Sequence, residues 1–197
     1  GKIKSVSANK PNAQAIDAKG LLMLPAFRDM HIHLDKTYYD EWHSVKKRTG
    51  GVKTMIALEQ QILPDLLKNS TQKAEKIIEL LQSQGTSFAR SHVNIEPTSK
   101  LQSLKNLQKA LENKKNTFGA ELVAFPQHGV FYTDSAPYLE EAARMEIDFI
   151  GGLDPFSIDG SIEKTIDFTV QLALDNKKGI DIHLHESGES GIKTIEY

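Results

Sequence analysis

The chain has 197 residues, of which 39% are hydrophobic and 25% are charged, a composition typical of one globular body with a sizeable core. Its net charge is near −2 with acidic and basic residues interspersed, so the sequence predicts neither nucleic acid nor a membrane surface as a partner. Because it has no apolar run of transmembrane length and no signal-peptide segment at its N-terminus, we expect a cytoplasmic protein.

About five buried strands are predicted by short apolar segments that alternate with longer amphipathic ones, a pattern typical of βα units around a parallel sheet. The predicted strands lie at 21–33, 86–93, 120–126, 147–153 and 180–185. The fold class that follows is α/β, with a partial TIM-type (β/α) barrel.

Helices are predicted between these strands by apolar residues that recur at helical spacing. Their apolar stripes predict packing against the sheet. The caps and stripes that mark them are Ser70 with Gly85, the leucines at 101, 104, 107 and 111, Ser135 with Pro137, and Ser161 with Gly179.

The chain is shorter than a closed barrel requires. An eight-stranded barrel typically takes about 250 residues, whereas this sequence ends at Tyr197, where Ile192 and Ile195 begin a further helix. We therefore expect either a sequence that is incomplete at its C-terminal end or an unusual half-barrel. Two open sheet edges favour association, so a homo-oligomer is compatible with the sequence.

Two His-x-His pairs occur among the seven histidines, where chance would give about 0.25 such pairs. They are His31 with His33 and His183 with His185, each at the C-terminal end of a predicted strand. Side chains at i and i+2 of a strand point to the same side, and this end of a barrel carries the active site. Because the chain has no cysteine, His, Asp or Glu must hold any metal.

The residues around the first pair resemble the first-strand signature of the cytosine deaminase branch of the amidohydrolase superfamily. This motif is HIHLDKT at 31–37, and further matches follow in order: RSHV at 90–93, VAFPQ at 123–127, and DIH at 181–183 with Glu186 three residues later. The resemblance spans residue 20 to the end of the chain, and four ordered motifs are more specific than one.

The resemblance implies a role for each matching residue. His31, His33 and His183 correspond to metal ligands. Glu186 corresponds to the acid/base that moves a proton between water and a ring nitrogen. Gln127 corresponds to the amide that recognises the substrate through hydrogen bonds. The resemblance also implies one divalent metal ion, Zn or Fe, and a small-molecule substrate such as a pyrimidine. It divides the chain into a β-sandwich remnant at 1–25 and an incomplete (β/α)8 barrel at 26–197.

Several positions depart from the family pattern. Many relatives bridge two metals with a carboxylated lysine at the end of the fourth strand, where this sequence has GGLDP at 151–155, so a mononuclear site is favoured. Asp154 either contacts the substrate or forms the turn before the proline. We expect Lys36 to form a salt bridge rather than to act in catalysis. The residue at the position of His185 varies in the family, so the resemblance implies no fixed role for it. A metal-site His on the sixth strand and an Asp on the eighth have no counterpart in this sequence.

These observations predict a metal-dependent amidohydrolase that hydrolyses an exocyclic C–N bond of a nitrogen heterocycle, with cytosine as the lead substrate. Two alternatives stay open. One is the same chemistry on another substrate, such as an N-alkylated triazine or a cyclic or acyclic amide, because His128 follows Gln127 where a strict cytosine enzyme is expected to have an acidic residue, which weakens the assignment to cytosine. The other alternative is a non-catalytic fragment or metal-binding remnant whose open sheet edge pairs with another chain.

Overall fold

A five-stranded parallel sheet forms the centre of the fold. The computed structural model describes residues 3–8, 12, 14–36 and 50–197. Each strand pairs in parallel with the next one along the chain, which is the arrangement that builds a (β/α) barrel. The strands are β1 Phe27–Ile32, β2 Thr86–Asn94, β3 Gly119–Phe125, β4 Phe149–Leu153 and β5 Gly179–His183.

Helices alternate with these strands, and the sheet curls. His31 in β1 and His183 in β5 lie at the two ends of the strand order, yet their ring centroids are only 4.7 Å apart. The described part is thus a curled half-barrel, which confirms the predicted fold class. None of its helices is long and apolar enough to cross a membrane. The helices are α1 Val52–Leu66, α2 Ser70–Ser83, α3 Gln102–Lys114, α4 Ala136–Ala143, α5 Ile162–Asn176 and α6 Glu189–Glu196, with a 3-10 turn at Leu67–Asn69.

The main hydrophobic core lies between the sheet and helices α2 to α5. Ala89, Leu122 and Ile150 from the strands and Ile78 and Leu104 from the helices are all buried in it. Full burial of a leucine or isoleucine side chain contributes roughly 1.5–3 kcal/mol to stability. The predicted packing of the helical stripes is therefore confirmed, and it fastens the helices to the sheet.

The first strand is shorter than predicted. It begins at Phe27 rather than at residue 21, and Leu21 to Met23 are at least 78% exposed. Backbone pairing decides this start, because the parallel ladder with β2 begins at Phe27 and Thr86. Within the segment 1–25, the described residues form no strand, and residues 1–2, 9–11 and 13 lie outside the described ranges. The sandwich remnant stays a prediction.

Helix α1 is absent from the sequence-based prediction. It contains Pro64 near its end and begins after Gly51, which has no side chain to cap it, so its local helix signal is weak. The next helix begins one residue earlier than predicted. Ser70 is the first residue of α2, and Asn69 occupies the N-cap position.

The start of α5 agrees with the prediction and its end does not. The Ser161 hydroxyl caps the helix by accepting a hydrogen bond from the Lys164 N–H at 3.2 Å. The helix ends before Lys177, which has the left-handed φ of 56° that closes it. Gly179 is instead the first residue of β5, where an added Cβ would lie 2.5 Å from the Phe149 ring.

The outer strands expose apolar side chains, which predicts association of the isolated 197-residue chain. Phe27 in β1 is 66% exposed and Ile180 in β5 is 40% exposed. Edge strands carry backbone groups that pair readily with another chain. We expect an oligomer or aggregate in size-exclusion chromatography with light scattering, and less association for Ile180→Lys. Leu174→Lys adds the same charge at an exposed position of α5 and should change nothing. A wild-type monomer would contradict this prediction.

Candidate metal centre

Four histidine side chains meet at the C-terminal ends of three strands. His31 belongs to β1 and His33 follows that strand, while His92 lies in β2 and His183 ends β5. One ring nitrogen of each histidine lies within 4.8 Å of those of the other three. The three histidines that the sequence singled out as ligands are therefore brought together, and His92 joins them.

Neighbouring residues position these side chains at the barrel mouth. His31 and His33 are two residues apart, so their side chains lie on the same side of the strand. The segment after β1 is attached to β2, because the Leu34 N–H donates to the Ser91 hydroxyl at 3.0 Å. At the end of β3, the buried Phe125 ring stacks on the His183 ring with centroids 4.2 Å apart.

Burial lowers the pKa of three of the clustered imidazoles, His33, His92 and His183. Desolvation, followed by the charges of Lys36 and the neighbouring histidines, lowers the pKa of His33 to about 3. Desolvation and the neighbouring histidines likewise lower the pKa of His183 to about 3. Burial also lowers the pKa of His92, although the Asp181 carboxylate partly offsets this effect. A neutral imidazole has a free nitrogen lone pair, which is the form that binds a metal.

Several ring nitrogens of this cluster have no hydrogen-bond partner among the described residues. They are Nδ1 of His33, Nδ1 of His92 and both nitrogens of His183, all buried. Buried polar atoms without partners are rare, because each one costs free energy. A divalent cation would satisfy these lone pairs, and imidazole donors suit Zn or Fe. The residues present therefore fit a metal ion, and the identity of its ligands stays a prediction.

Asp181 orients His92 from inside the barrel. Its Oδ1 lies 3.1 Å from His92 Nε2, and its Oδ2 accepts a hydrogen bond from Arg90 at 3.1 Å. Arg90 also pairs with Glu121 at 2.9 Å, so a charged network supports the imidazole. With Nε2 directed at Asp181, Nδ1 is the His92 nitrogen that remains for the cluster. Sequence reasoning gave His92 no role, although its place near the end of β2 is a signal that could have found it.

Gln127 lies two residues beyond Phe125, and its side chain contacts Lys36. The Lys36 ammonium donates to Gln127 Oε1 at 2.6 Å and to Glu59 Oε1 at 2.8 Å. The salt bridge predicted for Lys36 is therefore confirmed, with Glu59 of α1 as its partner. The role of Gln127 in reading a substrate stays a prediction.

The two carboxylates predicted near the site are held by other groups. Glu186 Oε1 accepts hydrogen bonds from the backbone N–H groups of Phe156 and Ser157, at 3.0 and 2.8 Å. The buried Asp154 accepts from the His185 N–H at 2.5 Å, and its second oxygen lies 2.9 Å from His185 Nδ1. Neither carboxylate belongs to the histidine cluster. Their roles in catalysis and substrate contact stay predictions.

A second buried polar network adjoins Lys36. His128 is fully buried between two carboxylates, with Nε2 3.0 Å from Glu59 and Nδ1 3.4 Å from Glu96. Burial would lower the pKa of His128, but a hydrogen bond with Glu59 and the charges of both glutamates outweigh it and raise this pKa above its usual value. Burial would raise the pKa of Glu59, but His128 and Lys36 outweigh it and lower this pKa to about 2.

The raised pKa of His128 predicts a pH-dependent stability. A group whose pKa rises on folding stabilises the native state fully below its unfolded pKa, and this contribution is lost as the pH rises through the folded pKa. We expect His128→Gln to lower the midpoint of thermal unfolding most below about pH 6.5 and progressively less above it. Lys68→Gln is the control, because it removes a cation from an exposed ion pair with Asp65. A difference that does not shrink with rising pH would contradict this expectation.

Comparisons with known proteins agree with this arrangement. The sequence model of the Amidohydrolase family matches residues 14–64. Protein YahJ of Escherichia coli (strain K12), described as uncharacterized, is 49% identical over 203 residues, which cover 100% of this chain and 44% of that protein. N-isopropylammelide isopropyl amidohydrolase of Pseudomonas sp. (strain ADP) is 31% identical over 186 residues, which cover 91% of this chain and 46% of that protein.

Solved structures resemble the fold along most of its length. A 5-methylcytosine deaminase from Klebsiella pneumoniae, liganded with phosphonocytosine, matches with a TM-score of 0.82 and 26% identity over 95% of this chain and 47% of that chain. An N-isopropylammelide isopropylaminohydrolase from Burkholderia multivorans matches with a TM-score of 0.76 and 26% identity over 87% of this chain and 43% of that chain. The chain thus spans less than half the length of these relatives. By its motifs, its half-barrel and these similarities, the chain is similar to enzymes of the amidohydrolase superfamily along most of its length.

Proposed function

We propose that the protein to which this chain belongs is a metal-dependent hydrolase that cleaves an exocyclic C–N bond of a nitrogen heterocycle. The observation that carries this proposal is the group of four imidazoles at the barrel mouth, three of which have buried nitrogens without a partner among the described residues. A divalent ion bound there, Zn or Fe, would supply a Lewis acid that makes water a nucleophile near neutral pH. His31, His33 and His183 are its proposed ligands.

Glu186 is the proposed acid/base. When water displaces an exocyclic amine, one proton must leave the attacking water and another must reach the departing nitrogen so that it leaves as a neutral amine. Glu186 follows His183 by three residues, and two backbone N–H groups fix its Oε1 atom. Among the described residues, its Oε2 atom has one partner, the Thr194 hydroxyl at 3.4 Å, and it is the proposed proton carrier.

Two substrate classes are supported by different observations. Cytosine and related pyrimidines are supported by the VAFPQ motif with Gln127 and by the likeness to a 5-methylcytosine deaminase. An N-alkylated triazine is supported by the likeness to N-isopropylammelide isopropyl amidohydrolase. Gln127 would bind the ring edge of either substrate through its amide, and Asp154 is a further proposed contact.

A substrate panel decides between these classes. We would incubate the metal-loaded protein with cytosine, isoguanine, aminotriazines and N-isopropylammelide and measure the release of ammonia and of alkylamine. Ammonia from cytosine supports the first class, and alkylamine from the alkylated triazine supports the second. Release of neither amine from any compound would contradict the proposal and favour a non-catalytic protein.

Metal content tests the proposed ligands. We expect His183→Ala to lose stoichiometric binding of Zn or Fe, whereas His185→Ala, in the same His-x-His pair, should retain it. Asp181→Asn tests whether His92 also binds the metal, because Asp181 contacts His92. Carboxylates that orient ligand histidines change metal affinity by about 10–100-fold, so a loss of that size would add His92 to the ligands and an unchanged affinity would leave it out. Plasma mass spectrometry after dialysis and competition with a chelator measure both quantities. Equal metal content in the two histidine variants would remove His183 from the site.

Turnover tests the proposed acid/base. Glu186→Gln keeps the shape of the side chain but cannot carry the proton, so turnover should fall by a factor of about 10² or more with metal content unchanged. Glu189→Gln is the matched control, since its carboxylate is exposed and pairs with Lys193. Steady-state amine release by metal-loaded protein is the measurement. Full activity in Glu186→Gln would exclude this residue from the mechanism.

A further inference from the structure

Lys36 and Gln127 form a hydrogen-bonded pair, and this hydrogen bond fixes which atom of the Gln127 amide faces Lys36. The Lys36 ammonium lies 2.6 Å from Gln127 Oε1. An ammonium has three N–H donors and no acceptor, so the amide atom that faces it must be the oxygen. The NH2 group is then the part of the Gln127 amide left for another partner, and it has none among the described residues.

This pair lies next to the histidine cluster. Lys36 follows His33 by three residues, and its charge is the second cause, after desolvation, of the lowered pKa of His33. Gln127 follows Phe125 by two residues, and the Phe125 ring stacks on His183. On the proposed function, in which Gln127 contacts the substrate, a heterocycle bound at the metal site would present one of its edges to the Gln127 amide.

Buried partners hold Lys36 against Gln127. Glu59 of α1 accepts a hydrogen bond from the ammonium at 2.8 Å, and its other oxygen lies 3.0 Å from His128 Nε2. On the far side of the His128 ring, Nδ1 lies 3.4 Å from the fully buried Glu96. With His128 protonated, Lys36 and His128 lie among the carboxylates of Glu59 and Glu96, and the buried Asp35 is a further charge partner of Lys36. Moving Lys36 away would leave an uncompensated buried charge, which is strongly destabilising.

We propose that Lys36, positioned by Glu59 and His128, fixes the Gln127 amide with its NH2 group toward the substrate, so that the site selects heterocycle edges that carry carbonyl acceptors. This inference rests on the proposed function, in which Gln127 contacts the substrate. An amino group on that edge faces the donors of Gln127 and Lys36 and leaves polar groups unpaired. A glutamine without Lys36 can turn its amide and accept from an amino group equally well.

Two triazines of similar size test this selection. Cyanuric acid has a carbonyl oxygen on every ring carbon, and melamine has an amino group on every ring carbon. We expect the metal-loaded protein to bind cyanuric acid at least about tenfold more tightly in isothermal titration calorimetry, because one unpaired polar group changes affinity by about that factor. Equal affinity, or tighter binding of melamine, would overturn the proposal.

Substitutions within the pair show whether the amide orientation causes the preference. Gln127→Glu keeps the side-chain shape but offers only acceptors, so the preference should reverse toward melamine. Lys36→Met frees the amide to turn, and the ratio of the two affinities should fall toward one, whereas Lys36→Arg still only donates and should keep the ratio. Lys68→Met removes a lysine from an exposed ion pair with Asp65 and should leave the ratio unchanged. A preference unchanged by both Gln127→Glu and Lys36→Met would overturn the proposal.

Glu59→Gln and His128→Gln test the positioning residues. Each should lower the affinity ratio while metal content stays constant, whereas a purely structural role would lower only the unfolding midpoint and would overturn their assignment. The readouts also separate this inference from the proposed function. Amine release without any preference between the triazines overturns only the inference. A preference that Gln127→Glu reverses, in a protein that releases no amine, overturns only the proposed function.

Discussion

The curl of the parallel sheet is the constraint on which the site depends. β1 and β5 are the outer strands of the described sheet, yet the rings of His31 and His183 have centroids 4.7 Å apart. Strand tilt in a barrel brings the carboxyl ends of distant strands to one mouth. In a flat sheet these histidines would be separated by four strand spacings of about 4.8 Å each. The same curvature that defines the half-barrel therefore creates the shared space between the imidazoles.

The two faces of the strands serve different purposes. Ala89 and Leu122 face the apolar core under the helices, whereas their neighbours Arg90 and Glu121 form an ion pair on the other face. Asp181 joins that pair and contacts His92. Replacing partly buried ion pairs by apolar groups is often neutral or stabilising, so stability alone does not explain a charged interior. The outer core holds the fold together, and the inner charges orient the imidazoles.

The strands and the paired histidines were predictable because their signals are local. Short apolar segments located all five strands, and the i, i+2 spacing located His31 with His33. His92 was missed, since one histidine in an apolar strand has the same local pattern whether it packs in a core or meets other imidazoles. The start of β1 was placed six residues early, because an apolar run at 21–26 carries no information about which residues find a pairing partner.

The sequence did not predict the buried network of Glu59, Lys36, His128 and Glu96, and the reason is a different one. Its members come from α1 and from the segments that follow β1, β2 and β3, and charged residues are exposed by default until tertiary contacts bury them. His128 illustrates the consequence. In the sequence, His128 beside Gln127 is a departure from the pattern of cytosine deaminases. In the structure, its ring lies between Glu59 and Glu96. On the proposed geometry, a change at this position alters substrate selection through Lys36 and the Gln127 amide without any contact between His128 and the substrate.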